Sequence, residues 1–457
     1  MIRKIWRILL TYIFTWFLAF SIILPRLLRG VFSWAKLYER LENLFSFPGF
    51  WIVLHITFIL CYLLLLAFLH FKKVYKARGY LVMLQHIGLK FLAPILLLVL
   101  IYQGIIYANT YEDFDFNWDN SIENNTNRSH NYFTLDHKQR GMSVFGLDSH
   151  DEIAINELVK NNIEWVAVVP FMFQKSQLTK AMNIPDSIGM WTPRDSSFMN
   201  TIAALHTKKI HVMLKPHLWM HEGWRSNITL DTPEEWGIWF ASYRKNMLHY
   251  AAMAEKSNVE LLCVGTELKS SLKYAPEQWI TLVKDIKTVY SGKLTYAANW
   301  DGEFNLVPFW DQMDYIGIQG YFPLTKISSP ELDDIKKGWD RHIITLENLA
   351  NTYQKPILFT EVGYRSDVTT TIRPWEWNEF GSIFTDKKSN KTQQLAYEAL
   401  FQKLWDKPWF AGTYIWQWDT RSEPNSTHES LDFTPRFKPA LNTLAKWYGK
   451  PVKKNEN

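Results

Sequence analysis

Short β-rich runs alternate with longer amphipathic runs from Gly141 to the end of the chain, and eight such pairs can be counted. This alternation is the pattern of a parallel sheet assembled from βα units. A doubly wound open sheet would use the same units, but no glycine-rich phosphate loop follows the first strand to support it. We therefore predict an α/β fold for residues 135–450, namely a (β/α)8 TIM barrel with extended loops.

The predicted strands include several continuous apolar runs, which is typical of strands covered on both faces. Several of the intervening helices begin with proline after a polar cap, as at Thr232-Pro233 and Ser329-Pro330. The predicted strands are 142–147, 165–170, 210–215, 260–265, 294–299, 315–319, 356–361 and 412–418. The predicted helices include 233–257, 276–290, 330–352, 392–406 and 439–448.

The first 110 residues have a different composition, because Leu, Ile, Phe, Val and Tyr dominate them. Three apolar stretches, residues 5–25, 50–71 and 91–108, each approach the roughly 20 residues that cross a bilayer as a helix. A cleaved signal peptide would explain only the first of them. We therefore predict a membrane anchor at residues 1–110 with three transmembrane α-helices, a multi-pass location and the lipid bilayer as a partner.

Basic residues between the second and third apolar stretches predict the orientation of the anchor. The positive-inside rule places this loop in the cytoplasm, and the C-terminal domain on the non-cytoplasmic side. Basic residues in the preceding loop argue for the opposite orientation, and residues 31–47 could instead form an amphipathic helix on the membrane surface. The first set is Lys72, Lys73, Lys76, Arg78 and Lys90, and the opposing set is Arg26, Arg29, Lys36 and Arg40.

The remaining segments and the charge restrict the partners. Residues 111–134 are predicted to be a linker, because they are rich in Asn, Ser and Asp and lack apolar periodicity, and residues 451–457 a polar tail. The net charge of +5 is small and lies largely beside the apolar stretches, so no nucleic-acid partner is predicted. Protein partners are left open. Two cysteines, Cys61 and Cys263, cannot build a disulfide framework or a four-ligand metal site.

Two glutamates stand where predicted strands end. The fourth strand runs into Glu267 and the seventh into Glu361, and in a (β/α)8 barrel the active site lies at the C-terminal ends of the strands. Cleaving a glycosidic bond with retention needs one carboxylic acid and one carboxylate about 5–5.5 Å apart. Either glutamate alone could equally cap a helix or pair with arginine, but both at these two strands favour catalysis.

The pattern resembles the clan A glycoside hydrolases, in which glutamates end strands four and seven. Gly265-Thr266-Glu267-Leu268, the run from Thr360 to Ser366, and Lys215-Pro216-His217 are similar to glycoside hydrolase family 113, whose known members are β-mannanases. The resemblance implies that Glu267 is the acid/base and Glu361 the nucleophile of a retaining enzyme. It implies a polysaccharide or oligosaccharide substrate and no cofactor. Most of the clan has asparagine where this chain has Thr266.

Further residues at predicted strand ends are candidates for substrate binding. Tyr321 after strand six and Tyr364 after strand seven are rival partners for the nucleophile, and one tryptophan of strand eight would form an apolar floor beneath the sugar. Asp148 after strand one is more readily explained as a helix cap. No metal site is predicted, because Pro216 opposes a helical His217-His221-Glu222 zinc motif. The candidate binding residues are Lys215, His217, Asn299, Trp300, Tyr321, Tyr364, Trp416 and Trp418.

Two other functions fit the same residues. A catalytically idle barrel could bind glycan within a membrane assembly, which Thr266 and the unusual anchor would allow. A transglycosylase would share the covalent intermediate of a hydrolase, and only its products would distinguish it. The sequence does not identify the sugar, the linkage, or endo against exo action.

Overall fold

The computed structural model describes residues 2–28, 34–112, 131–147, 149, 151–183, 187–377, 385–421 and 431–452. The chain divides into two compact units, Met1–Ile105 and Ile106–Asn457. Asp148, most of the predicted linker and most of the predicted polar tail lie outside the described residues.

The first unit is helical. Its helices are α1 (Ile2–Leu28), α2 (Trp34–Ser46), α3 (Pro48–Ile87) and the greater part of α4 (Ala93–Thr110), with a π-helical stretch, Gly88–Leu92, between α3 and α4. Two helical runs, Ile2–Pro25 and Pro48–Thr110, are long and apolar enough to cross a membrane, judged by length and composition only. Both leave most of their apolar side chains exposed. Membrane association is thus supported only weakly.

The three separate spans of the sequence prediction are not confirmed. The second and third predicted spans belong to two helical stretches that meet at a kink, and the basic segment between them is itself largely helical. Gly79, with φ 83°, is the non-helical position at this kink, and such a backbone suits glycine. The alternative prediction of a helix within residues 31–47 agrees with α2.

The second unit contains the predicted barrel. Within the described residues, eight parallel strands close in the order β1-β2-β4-β6-β7-β8-β9-β10, which confirms the (β/α)8 fold. These barrel strands are β1 (Gln139–Phe145), β2 (Trp165–Val168), β4 (His211–Leu214), β6 (Leu261–Thr266), β7 (Lys293–Asn299), β8 (Tyr315–Gln319), β9 (Ile357–Val362) and β10 (Phe410–Asp419). All eight overlap the strands predicted from sequence.

Helices surround the barrel and follow its strands. They are α5 (Phe133–Asp136), α6 (Glu152–Lys160), α7 (Pro193–Thr207), α8 (Pro233–Lys256), α9 (Lys269–Tyr274), α10 (Pro276–Val289), α11 (Leu332–Tyr353), α12 (Asn390–Leu404) and α13 (Pro439–Tyr448). Polar caps fix several starts: the Thr232 hydroxyl accepts from the Glu235 backbone N–H, and the Ser389 hydroxyl accepts from that of Thr392. Such caps satisfy backbone donors that the first helical turn leaves unpaired.

Two short strands outside the barrel were not predicted. β3 (Phe171–Gln174) and β5 (His217–Met220) follow β2 and β4 almost directly and pair in parallel with each other. This small sheet extends two barrel strands beyond the rim and carries His217. Each strand has four residues, too few for a periodic sequence pattern to be distinguished.

Apolar side chains fill two layers of the barrel unit. One cluster, including Trp165, Met213, Leu261 and Tyr414, lies inside the barrel, and a larger one lies between the strands and the surrounding helices. Alternate residues of each strand serve the two layers. The polar site residues come from positions where strands leave these layers.

Candidate active site

Glu361, the next-to-last residue of β9, is held through both of its carboxylate oxygens. The Tyr321 hydroxyl donates to Oε1 at 2.6 Å, and the Lys215 ammonium donates to Oε2 at 2.8 Å. Lys215 also donates to the Gln319 side-chain oxygen and the Thr360 carbonyl, at 2.9 and 3.2 Å. Because Lys215 and Glu361 are both buried, the pair keeps a carboxylate charge in the barrel mouth that would otherwise be costly.

Tyr321 is a neutral donor to this carboxylate. Burial and the neighbouring charge of Glu361 hold the pKa of the Tyr321 phenol well above its usual value. The hydroxyl therefore keeps its proton over the ordinary pH range and continues to hydrogen-bond Glu361.

Glu267 follows β6 directly and has a left-handed backbone, with φ 53°. Its backbone N–H donates to the Ala297 carbonyl at 3.0 Å, and its own carbonyl accepts from the Ser226 hydroxyl at 2.7 Å. The Arg225 guanidinium donates to carboxylate Oε2 at 2.6 Å. A left-handed residue with a side chain is uncommon and persists only where its surroundings hold it.

Gln319, the last residue of β8, connects the two glutamates. Its amide nitrogen donates to Glu267 Oε1 at 3.4 Å and to Glu361 Oε2 at 3.2 Å. The two carboxylates therefore lie on either side of one amide group. The distance between their nearest oxygens is at most the sum of these two hydrogen-bond distances. Oε1 of Glu267 is the oxygen on the side of Glu361, whereas Oε2 is held by Arg225.

Aromatic side chains form one wall of the mouth. Tyr321, Trp416 and Phe433 form a buried cluster, with the partly buried Trp300 packed against it. Trp300 stacks on Trp375, with ring centroids 4.8 Å apart and planes inclined by 25°. Trp377, which is exposed, contacts both Trp416 and Phe433.

His217, in the first position of β5, is buried near Lys215 and Arg225. Its Nε2 atom has no partner among the described residues. Burial, with the two neighbouring cations, holds the pKa of the His217 imidazole well below its usual value. The ring is therefore neutral at neutral pH, with Nε2 buried.

Two predicted binding residues lie elsewhere. Tyr364 is fully buried in the layer between strands and helices and packs on Tyr397, so it is not the partner of Glu361. Trp418 lies in the same layer. Trp416 and Trp418 were expected to share a face, but β10 has a register shift against β1 between Ile415 and Trp418, which breaks the alternation.

The other predicted residues lie at or beside the mouth. Asn299, half-buried at the end of β7, is paired in register with Gln319. The Thr266 side chain lies 3.8 Å from the Cys263 sulfur. Across the described ranges, no three His, Cys, Asp or Glu side chains are grouped as a metal site would require.

Sequence reasoning missed several residues that contact the glutamates or the aromatic wall. Gln319 could have been found, since it ends a barrel strand just as the two glutamates do. Arg225 lies in a short 3-10 turn, Arg225–Asn227, and Trp375 and Trp377 lie in the loop after β9. These loop positions carry no periodic or strand-end pattern that would have singled them out.

The barrel unit is similar to known glycoside hydrolases. A sequence model of glycoside hydrolase family 113 matches residues 148–436. A solved family 113 β-1,4-mannanase complex is 24% identical, with a TM-score of 0.59 over 68% of this chain and 99% of that chain. The family 113 β-mannanase of Alicyclobacillus acidocaldarius is 25% identical, with a TM-score of 0.58 over 68% and 97% of the two chains. No curated protein matches the chain.

The family match covers more than half of the chain and includes both glutamate-bearing strands. It confirms the resemblance inferred from the motifs around Lys215, Glu267 and Glu361. The likeness to the solved structures spans nearly their whole length. The chain therefore belongs to glycoside hydrolase family 113 and is a glycoside hydrolase built on a (β/α)8 barrel.

Proposed function

We propose that the protein is a membrane-anchored retaining glycosidase that cleaves a β-linked polysaccharide or oligosaccharide, with Glu267 as acid/base and Glu361 as nucleophile. The observation that carries the proposal is the amide of Gln319, within hydrogen-bonding distance of both carboxylates. Carboxylates about 5–5.5 Å apart suit a double displacement, whereas inversion needs about 6.5–9.5 Å to admit water. A shared amide donor favours the shorter separation.

In the first step, a Glu361 oxygen attacks the anomeric carbon and the bond to the leaving oxygen breaks. Glu267 gives its proton to that oxygen, and a glycosyl ester forms on Glu361. Lys215 and Tyr321 hold the nucleophile in one position, so little reorganisation is needed at the moment of attack. Oε1 of Glu267 is the natural proton carrier, because Arg225 occupies Oε2.

In the second step, the Glu267 carboxylate takes a proton from water. The water oxygen bonds to the anomeric carbon, and the ester bond to Glu361 breaks. The configuration at the anomeric carbon is inverted twice and so retained. This chemistry uses only side chains of the chain itself.

β-Mannan is the first substrate to test. The solved neighbours are described as β-mannanases, and the wall of Trp300, Trp375 and Trp416 offers flat apolar faces to sugar C–H surfaces. The neutral His217 and the strand-end Asn299 supply polar contacts for hydroxyl groups. The apolar helical runs Ile2–Pro25 and Pro48–Thr110 support anchoring in a bilayer, with the barrel on the non-cytoplasmic side by the positive-inside rule.

The test compares the full chain in detergent micelles with its Glu361→Gln and Glu267→Ala variants on β-mannan, β-glucan and xylan. We expect hydrolysis of one glycan class, its loss in Glu361→Gln, and a product whose first-formed anomer is β by proton NMR. Azide should restore turnover of an activated aryl glycoside by Glu267→Ala and yield a β-glycosyl azide. A first-formed α product, or unchanged activity in Glu361→Gln, would refute the assignment.

Chain lengths of the products separate two reactions with the same intermediate. Products longer than the starting oligosaccharide would identify transglycosylation, and only shorter ones would identify hydrolysis. Glycan binding without turnover in the wild-type chain would favour the idle barrel.

A further inference from the structure

Glu303 is a buried carboxyl group outside the two proposed catalytic residues. It begins the 3-10 turn Glu303–Asn305 in the loop after β7 and has no exposed surface. Its Oε1 accepts a hydrogen bond from the Tyr296 hydroxyl at 2.6 Å, and its Oε2 accepts one from the Asn299 backbone N–H at 3.2 Å. Among the described residues, no basic side chain forms an ion pair with it. Burying a carboxyl group costs free energy unless hydrogen bonds or protonation compensate for it.

Tyr296 links Glu303 to the acid/base. The Tyr296 hydroxyl accepts from the Leu268 backbone N–H at 2.8 Å, and Leu268 immediately follows Glu267. A chain of hydrogen bonds thus connects Glu303, through Tyr296, to the peptide between Glu267 and Leu268. Gly265 makes room for it, because a Cβ atom there would lie 2.7 Å from the Tyr296 ring.

The peptide at the end of this chain of hydrogen bonds follows a residue with a strained backbone. Glu267 has the left-handed φ of 53°, which costs free energy for a residue with a side chain and depends on contacts that hold it. Tyr296 and Ser226 hold the peptide after Glu267, through the Leu268 N–H and the Glu267 carbonyl, and the Ala297 carbonyl accepts from the Glu267 N–H on the other side. The direction of the Glu267 side chain follows from these three contacts.

Glu303 carries a proton when the enzyme is at neutral pH. Burial is the main cause that raises the pKa of Glu303 to about 8, and the charge of Glu267 raises it further, while the hydrogen bonds from Tyr296 and Asn299 oppose the rise. Asp301 also faces it and raises the pKa, although Lys269 pairs with Asp301. A neutral Glu303 adds no negative charge beside the acid/base, which becomes ionised when it gives up its proton in the first step.

We infer that Glu303 is a positioning residue for the acid/base: through the Tyr296 hydroxyl it fixes the Glu267–Leu268 peptide and so aims Glu267 at the leaving oxygen. The inference rests on the proposed function and adds a residue to it. A residue that acts on the proton donor should matter most where the leaving group needs a proton.

The experiment uses the full chain with Glu303→Ala, Glu303→Gln and Tyr296→Phe, assayed on β-1,4-mannotetraose and on 2,4-dinitrophenyl β-mannobioside. The dinitrophenolate leaves without protonation, whereas the sugar leaving group requires it. We expect Glu303→Ala and Tyr296→Phe to lower kcat/KM on the tetraose by about 10- to 100-fold, which is no more than the lower limit of the roughly 100- to 10,000-fold that general acid catalysis contributes. On the aryl glycoside, kcat/KM, which reports the first step alone, should fall less than about threefold, whereas kcat and KM should fall together because the second step still needs Glu267 as base.

Glu303→Gln is the conservative control, because its neutral amide resembles the protonated carboxyl and keeps an acceptor for Tyr296. We expect it to retain most of the tetraose activity near pH 7. Equal losses on both substrates, or a tetraose activity unchanged in both Glu303→Ala and Tyr296→Phe, would overturn the inference. If Glu303→Ala fails to fold, Tyr296→Phe decides alone.

Failure of the proposed function gives a different result. In that case the wild-type chain is inactive on both substrates, or Glu361→Gln is as active as the wild type. The inference fails on its own when Glu361→Gln is inactive but the Glu303 and Tyr296 variants do not discriminate between the leaving groups.

Discussion

Glu112 lies just beyond α4 and caps a helix of the barrel unit, and the substitution Glu112→Ala tests this cap. Its carboxylate accepts from the backbone N–H groups of Asn390 and Lys391 at 2.8 and 2.9 Å, and from the Ser389 hydroxyl at 3.3 Å. These donors open α12. The carboxylate is thus a cap supplied from a distant part of the chain, in the place where anions stabilise a helix N-terminus.

The expected cost of Glu112→Ala follows from these bonds. Losing a capping acceptor costs about 0.5–2 kcal/mol, and losing a negative charge at a helix N-terminus costs about 0.3–1 kcal/mol more. We therefore expect the free energy of unfolding of the barrel unit to fall by about 1–3 kcal/mol. The change should appear as a lower thermal midpoint of the full chain in detergent.

The effect should also be local, because Glu112 touches the base of the loop that carries Trp375 and Trp377. The Ser389 backbone N–H donates to the Ser366 carbonyl at 2.9 Å, and that of Val368 donates to the Lys387 carbonyl at 3.0 Å. These bonds close the base of the loop after β9. We expect faster amide hydrogen exchange at this base in Glu112→Ala, and a raised KM on polymer with little change in kcat.

Glu234→Ala is the matched control. Glu234 is an exposed glutamate in the first turn of α8, where a charge but no such capping bond is lost, so a loss of at most about 1 kcal/mol is expected. An equal thermal midpoint in Glu112→Ala and wild type, with unchanged exchange at residues 366–389, would refute the reasoning.

Three other predictions concern the site. Lys215→Met should lower the free energy of unfolding by about 3–5 kcal/mol in denaturant titrations, because it leaves the buried Glu361 carboxylate without its ion-pair partner. Lys269→Met, which removes the exposed pair with Asp301, should lower it by about 1 kcal/mol or less. Trp375→Ala should raise KM on polymer several-fold and leave kcat nearly unchanged, since it removes an aromatic face that stacks on Trp300. An unchanged KM would exclude Trp375 from the binding wall. Glu303→Gln should flatten the pH dependence of stability. In the wild type the pKa of Glu303 is about 8 in the folded state, so between about pH 5 and 8 only the unfolded state ionises and the free energy of unfolding falls by about 1.4 kcal/mol per pH unit. Parallel denaturant titrations of both proteins at pH 5 and 8 would show the difference.

The sequence predicted the parts of the molecule that follow periodic rules. Strand and helix alternation fixed the barrel, and the strand-end rule singled out Glu267 and Glu361 without any contact being known. The same rule applied to β10 misplaced Trp418, because a local register shift changes the face on which a residue lies and leaves no trace in composition.

Site residues whose positions depend on loop conformation could not be predicted from the sequence. Arg225 contacts Glu267 only because the turn after β5 brings it back over the mouth, and Trp375 meets Trp300 only through the loop after β9. Both contacts join positions far apart in the chain, and neither loop has a repeating pattern. In the first 110 residues, composition identified apolar helices, but their division depends on where the backbone leaves the helical conformation, as at Gly79.

Residues at both ends of the predicted linker form hydrogen bonds with the barrel unit. Glu112 binds the N-terminus of α12, which follows β9 and so begins at the catalytic end of the barrel. Tyr132 and Phe133 donate through their backbone N–H groups to Glu164, just before the start of β2 and hence at the opposite end. Residues 113–130 lie outside the described residues and join these two ends.

A fragment beginning at Asn131 would therefore lose part of the barrel unit itself, including the cap on α12 and its support of the loop with Trp375 and Trp377. We expect such a fragment to bind polymer more weakly than the full chain, while a fragment beginning at Ile106 would not. Comparing KM on β-mannan for these two fragments, with Glu112→Ala made in the longer one, separates loss of the cap from loss of the remaining residues. Equal KM values for all three would mean that the segment Ile106–Glu112 contributes nothing to the site.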